Sequence, residues 1–365
     1  MRHLVVAAAG TGGHVMPGLA VAQALRERGW TVSWLGTAHG KERAWVTQRQ
    51  IDFDALGFSA MRGKGPMAFV MGAVRMLRAV WQAWRVLRRR RCCVLFSTGG
   101  YVAVPAGWAA ACARVPVVVL NGDAAPLLST RLLRPVARAV LCGFEGAAAQ
   151  WAGARGFVTG NPVRAEFERV PEPALRFAQR EGALRVLVIG GSLGAQVLNT
   201  VVPEALALYQ ATAPVQVVHQ CGAAHEQAAA AAYAKAAVEA QVLAFIDDMA
   251  ERFAWADVVI CRAGAMTVAE LSAAGVAAIL VPFVARTTDH QRSNAQWLAG
   301  HGAAIHLPQI DLSPGTLCAQ LQALTRQRLL AMAQAARALA HRQATAQVAD
   351  FIERVAALRV QEPQR

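Results

Sequence analysis

The sequence predicts an α/β protein of two doubly wound, Rossmann-like domains side by side with a cleft between them. Three observations carry that prediction. Apolar runs rich in Val, Leu and Ile alternate with longer helical patterns along the whole chain. These runs lack the polar alternation of a half-exposed strand, so they fit parallel sheets covered on both faces. The two halves also repeat one scheme, a strand entering a glycine turn and then a helix: "LVVAAAGTGGH" near the start and "LVIGGSLGA" in the middle.

In the first half, strands are expected at 2–9, 31–36, 93–97, 115–121 and 139–143. The clearest helices fall at 17–28, 67–90 and 102–113. The second half offers strands at 185–191, 215–220, 241–246, 257–261 and 277–283. Between them, 160–185 mixes prolines with charges of both signs and reads as a linker. The expected domains are 1–163 and 164–341, with a helix at about 342–360 packing back on the first. A chain of 365 residues suits two domains of ordinary size.

Composition narrows the class. With 55% hydrophobic and 16% charged residues the chain is far from disordered. Its seven cysteines are odd in number and lack C-x-x-C spacing, so they read as thiols of a reducing compartment. Residues 92–113 carry no charge, yet Ser97, Thr98, Gly99, Gly100 and Pro105 interrupt them; they read as a buried strand followed by a buried helix. The opening apolar stretch runs straight into a glycine turn, unlike a signal peptide.

The net charge of +14 is unevenly placed. Residues 1–160 hold 20 Lys and Arg against 6 Asp and Glu, whereas residues 161–365 hold 17 of each. A one-sided basic half points to an anionic partner: a membrane surface, nucleic acid or a phosphorylated substrate. In the helix at 67–90, Arg75, Arg78, Arg85 and Arg89 share one arc, while Leu77, Val80, Trp81, Trp84 and Leu87 share another. The bland reading sets the apolar arc on the sheet. The functional one makes Arg75, Arg78, Arg85 and Arg89 with Trp81 and Trp84 a patch for anionic lipid, since indole rings settle at headgroup level.

Glycine turns at helix starts suit phosphate, because their N–H groups are open to an anion. A dinucleotide dehydrogenase would end its second strand in an acid that holds ribose; this one ends "WLGTAHG". No G-x-x-x-x-G-K-[ST] exists either. "GGSLGA" adds the Ser192 hydroxyl at a helix start. "CRAGAMTVAEL" sets Glu270 where a carboxylate could accept ribose hydroxyls or merely complement the helix dipole. "TTDHQRSNA" clusters Asp289, His290, Gln291 and Asn294 at a further helix start.

Taken in order, "GTGGHVMPGLAVAQAL", "GGYVAVPAG", "GNPVR", "GGSLGA", "FIDDM", "CRAGAMTVAEL" and "VPFVARTTDHQRSNA" resemble the MurG family of peptidoglycan glycosyltransferases (glycosyltransferase family 28) over essentially the whole chain. The resemblance implies a GT-B fold and inverting transfer of GlcNAc from UDP-GlcNAc to the muramoyl 4-hydroxyl of lipid I, giving lipid II. It implies no metal and no cofactor. It implies peripheral attachment to anionic lipids on the cytoplasmic face of the inner membrane, no nucleic acid, and cell-wall or division proteins as further partners. Thr11, Gly12 and Gly13 would form the first turn. Arg164 and Ser192 would meet the donor diphosphate, and Ile246 would contact uracil through its backbone. Ala265, Met266, Thr267, Val268, Ala269 and Glu270 would hold phosphate and ribose, and Gln291 the GlcNAc ring. His14 would either take the acceptor proton or orient the turn. Other readings are another UDP-sugar glycolipid transferase or epimerase, an NAD(P) oxidoreductase and a nonenzymatic membrane scaffold. Where the family reads His-Glu-Gln-Asn this chain has Leu120-Asn121-Gly122-Asp123, and Leu193 replaces a usual glutamine; these residues receive no role.

Overall fold

The computed structural model describes residues 2–10, 12–58, 66–178, 180–191, 194–283 and 289–361. Two compact units emerge: residues 1–163 with 343–365, and residues 164–342.

The first unit is built on a seven-stranded parallel sheet in the order β3-β2-β1-β4-β5-β6-β7. Its strands are β1 (His3–Ala8), β2 (Thr31–Thr37), β3 (Asp52–Leu56), β4 (Val94–Gly99), β5 (Val117–Asn121), β6 (Ala137–Cys142) and β7 (Gly156–Val158). Helices α1 (Gly12–Glu27), α2 (Glu42–Gln48), α3 (Pro66–Arg89), α4 (Ala103–Cys112), α5 (Leu128–Leu133) and α6 (Ala147–Ala152) connect them. Alternate residues of each central strand feed opposite cores. On one face Val5, Ala7, Leu95 and Val117 pack with α3 and α4. On the other, Leu4, Val6, Phe96 and Val118 pack with α1 and with Val348, Ala349 and Ile352 of the last helix. The same strands thus bury both faces, which is why they read as unbroken apolar runs.

The second unit opens with α7 (Ala165–Glu168) and α8 (Pro173–Phe177). Much of the segment expected to be a linker therefore folds, and from Arg164 onward it belongs to this unit. Its six-stranded parallel sheet runs β10-β9-β8-β11-β12-β13. The strands are β8 (Leu184–Ile189), β9 (Val215–Gln220), β10 (Ala240–Leu243), β11 (Val258–Cys261), β12 (Ala277–Leu280) and β13 (Ala304–His306). Helices α9 (Gln196–Gln210), α10 (Glu226–Lys235), α11 (Met249–Trp255), α12 (Ala265–Ala274), α13 (His290–Gly300), α14 (Pro314–Gln322) and α15 (Arg326–Ala338) complete it. Finally α16 (Ala344–Gln361) returns to the first unit.

Four expectations need correction. Helix α1 begins at Gly12 rather than residue 17: Pro17 lies inside the helix instead of marking its start. Ile246 lies in the loop beyond β10, not at a strand end. On α3 the seam that packs is Ala79, Ala83 and Leu87 with Met76, Val80 and Trp84. Leu77 and Trp81, expected on that seam, are 69% and 55% exposed; small residues at the seam let α4 come close and turn the larger ones outward. Arg89 forms an ion pair with Asp54 of β3, which offsets its charge. No described helix is long and apolar enough to cross a membrane.

The second unit holds one fully buried carboxylate at the base of its sheet. Asp257 accepts from Arg185 N at 2.9 Å, lies 3.4 Å from Arg180 and pairs with Arg326. Removing one partner of a buried pair strands the others' charge. Asp257→Ala is expected to cost this unit about 3–5 kcal/mol, read by urea unfolding monitored in the second unit.

Candidate functional site

All thirteen described strands run parallel within their sheets, so the carboxyl ends of each sheet gather its loops on one edge. In the first unit that edge carries the turns after β1, β4 and β5. Gly10 takes φ +112°, and α1 starts two residues later. His14, in its first turn, lies 2.9 Å through Nδ1 from the Thr98 carbonyl at the end of β4. A carbonyl only accepts, so Nδ1 donates; in the neutral ring Nε2 then holds the lone pair. Thr98 Oγ1 donates back to the His14 carbonyl at 2.6 Å. Gly99 is required beside it: its φ is +112°, and a Cβ there would sit 2.8 Å from His14 Nδ1.

The loop after β5 is tied down by its own side chains. Buried Asn121 donates through Nδ2 to the carbonyls of Asp123 (2.6 Å) and Ala125 (3.1 Å). Its Oδ1 accepts from Leu127 N and Thr130 Oγ1, both at 2.9 Å. Asn161 of "GNPVR" donates to the Gly122 carbonyl at 2.8 Å. Asn121 and Asn161 thus make this a self-bonded loop.

The second unit gathers a larger set. Beyond the end of β8, Gly191 and Gly194 have φ of +82° and +76°, and a Cβ on Gly194 would lie 2.1 Å from the Cys221 carbonyl. Helix α12 starts after Gly264 with no side-chain cap, leaving the N–H groups of Ala265, Met266 and Thr267 without intrahelical partners. The Met266 and Val268 side chains are buried in the core, so only their backbones can serve a ligand. Glu270, on the same helix, has a side chain only 19% exposed, and Arg164 Nη2 stands 4.0 Å from its Oε1. Burial pushes the Glu270 carboxyl up to about 7; Arg164 opposes that rise and Glu166 adds to it. Arg164 also pairs with Glu166 at 2.8 Å and lies 4.8 Å over the Phe167 ring, which together aim its guanidinium.

Gln291 Oε1 accepts from Phe283 N at 2.9 Å, which leaves its amide N–H groups as the donors for a ligand hydroxyl. Buried Asn294 donates to the Ala263 carbonyl at 3.0 Å and locks α13 to the loop before α12. Ile246 is buried, and its N–H donates to Gln220 Oε1 at 3.0 Å. Arg164, Ala265 to Glu270, Ile246 and Gln291 therefore all lie in this unit, beyond the strand ends of one sheet. Thr11 and Ser192 lie outside the described residues.

Two groups escaped the sequence reading. One is the fully buried Glu42, which binds the β1 turn. The other is a buried relay under the β8 turn. Tyr233 Oη donates to His219 Nδ1 at 2.9 Å, His219 Nε2 donates to Asn199 Oδ1 at 3.0 Å, and Asn199 Nδ2 donates to the Cys221 carbonyl at 3.1 Å. The only signal in the sequence was polar residues within apolar runs. A void of about 720 Å³ lies away from these groups, among Arg2, Arg88, Arg91 and Ala356, by the starts of β1 and β4.

Models of the glycosyltransferase family 28 N-terminal and C-terminal domains match residues 4–142 and 185–355. A protein of Methylibium petroleiphilum named UDP-N-acetylglucosamine--N-acetylmuramyl-(pentapeptide) pyrophosphoryl-undecaprenol N-acetylglucosamine transferase is 52% identical over 97% of this chain and 98% of its own. The chain belongs to glycosyltransferase family 28, within the MurG family. A relative of the same name from Janthinobacterium sp. is 49% identical over 97% of this chain and 99% of its own. The crystal structure of MurG from Acinetobacter baumannii superposes with a TM-score of 0.83 at 35% identity, covering 97% of this chain and 100% of that one. A UDP-GlcNAc 2-epimerase from Neisseria meningitidis shares the fold at TM-score 0.67 with 12% identity.

The relay has a pH signature. Burial lowers the His219 imidazole to about 4, below the ordinary 6.5. Between these values the unfolded chain binds a proton that the native one does not, so stability rises with pH across that window. Stability is expected to fall by about 3 kcal/mol as pH drops from 7 to 4, in excess of the change in His219→Gln, measured by urea unfolding at each pH.

Proposed function

We propose that this chain transfers GlcNAc from UDP-GlcNAc to the 4-hydroxyl of the muramoyl sugar in undecaprenyl-diphospho-muramoylpentapeptide, with inversion at the anomeric carbon. The observation that carries the reading is family membership across both domains, to relatives named for this reaction over 97% of the chain. In the proposed step the acceptor oxygen forms a bond to the anomeric carbon while the bond from that carbon to the UDP oxygen breaks. His14 Nε2 takes the acceptor proton, in the tautomer that the Thr98 carbonyl imposes. The electron pair leaves on the diphosphate. Arg164, the open N–H groups at the start of α12 and Ser192 offset that charge, the interaction most strengthened as the bond breaks. Glu270 accepts the ribose hydroxyls, Ile246 meets uracil through its backbone, and Gln291 donates to the sugar. Gly12 and Gly13 open the helix that carries His14, next to Thr11. Incubating the purified protein with a lipid I analogue and labelled UDP-GlcNAc should yield a labelled disaccharide lipid; its absence would overturn the reading.

The acceptor is a membrane lipid, and α3 offers a means of reaching it. Val70, Val74, Leu77 and Trp81 are all more than half exposed along one stripe. Arg75, Arg78 and Arg85 lie beside it, and the Arg85 guanidinium stacks 4.8 Å over Trp81. An apolar stripe edged by arginines fits the headgroup layer of an anionic bilayer, the cytoplasmic face of the inner membrane in this reading. Trp84 is partly buried in the seam and supports the helix from below.

Two outcomes are expected. Affinity for UDP should weaken about tenfold as pH falls from 8 to 6, because only the Glu270 carboxylate accepts from both ribose hydroxyls and burial sets its ionisation near neutrality. The same titration of Glu270→Gln, read by calorimetry, should be flatter. Leu77→Glu with Trp81→Glu should abolish sedimentation with anionic vesicles while leaving calorimetric UDP binding unchanged within about twofold.

A further inference from the structure

Glu42 is fully buried beside the β1 turn, and the roles given above do not use it. A buried carboxylate is costly unless donors surround it. Here, among the described residues, the donors are neutral. Thr37 N donates to Oε1 at 2.9 Å, Thr37 Oγ1 donates to the same oxygen at 2.5 Å, and Gly10 N donates to Oε2 at 3.5 Å. The chain makes room for this group. A Cβ on Gly40 would fall 1.9 Å from Oε2, and one on Gly36 would fall 2.5 Å from the Phe53 ring and 3.3 Å from Glu42 Cγ. Gly10 in turn lies near His14: a Cβ built there would come into ordinary contact with the imidazole, 3.8 Å from Cδ2. One short path therefore runs from the end of β2 through Glu42 and Gly10 to His14, and the Thr98 carbonyl holds the ring on its other side.

We infer that Glu42 is a positioning residue: by accepting from Thr37 and Gly10 it fixes the left-handed β1 turn, and through that turn sets the His14 ring that receives the acceptor proton. It has a second effect. An N–H group of a glycine turn is an anion's natural partner, but Gly10 N already points at a carboxylate. Gly10 N is thereby turned toward Glu42, whereas the α12 start of the second unit has no side-chain cap.

This inference rests on the proposed role of His14, and a double-mutant cycle separates the two. In the full-length enzyme, Glu42→Gln keeps the size of the side chain but removes the charge and presents an amide to Gly10 N. It is expected to lower kcat about tenfold or more, with KM for UDP-GlcNAc and calorimetric UDP affinity within about twofold of the parent. In a His14→Ala background the same change should cost less than about twofold, because residues acting through one group are not additive. If Glu42→Gln costs as much in that background as alone, or acts by raising KM for the donor, the Glu42 role is overturned while His14 stands. If His14→Ala itself keeps the parent kcat, the base role falls and the Glu42 role falls with it. Thermal melts accompany each variant. Should Glu42→Gln fail to fold, Thr37→Val decides: it removes one donor and should give a drop of about threefold with the same dependence on His14. No drop, or one that persists without His14, overturns the inference.

Discussion

A parallel sheet sheathed on both faces has no polar surface except its two edges, and this constraint arranges everything else in the chain. Leu4 and Val6 point into one core while Val5 and Ala7 point into the other. From Leu4 to Ala8 no position along β1 is left for a reacting group. Chemistry is confined to where strands stop, and since the strands of each sheet run one way, their stops share an edge. Gly10, His14, Thr98 and Gly99 meet because β1 and β4 are hydrogen-bonded neighbours with Val6 opposite Phe96 and Ala7 opposite Ser97.

The two edges solve opposite electrostatic problems. The second unit leaves helix-start N–H groups open at Ala265 and sets Arg164 near them, an environment that welcomes negative charge. The first unit places a carboxylate under its own glycine turn. Two glycine-bearing helix starts, "AGTGGH" and "CRAGAMT", thus differ: in the first the Gly10 N–H meets a carboxylate, and the second has no side-chain cap. The difference lies in a side chain more than thirty residues away along the chain, at Glu42.

The central strands were legible because they are buried on both faces and so form unbroken apolar runs. Three edge strands, β3, β7 and β13, were not. Strand β3 is "DFDAL", with its two acids bonded to Arg89 and Arg90, and β7 and β13 are three residues each. None has the apolar length that marks a buried strand. The turns that carry the candidate donor residues were readable because glycine turns and helix starts are local patterns. Glu42, His219 and Asn199 were not, since an acid in a first helical turn usually meets water, and only the packing of β2, α2 and the β1 turn shows that this one does not. The α3 helix shows the same limit: angular position separates arginines from apolar residues, but which apolar residues face the core depends on how closely α4 approaches.

The return of α16 to the first unit bears on how the chain is made. Val348, Ala349, Ile352, Val355 and Ala356 fill the core face shared by β1 and α1, whereas the second unit is contiguous from Arg164 to Arg342. On a ribosome the second unit can close as soon as its last helix emerges. The first, though begun earlier, keeps Leu4, Val15 and Leu25 short of their cover until synthesis is nearly over. The half with the exposed apolar stripe is therefore the last to mature, and a nascent chain stalled before residue 344 would carry a half-open sheet that invites chaperones.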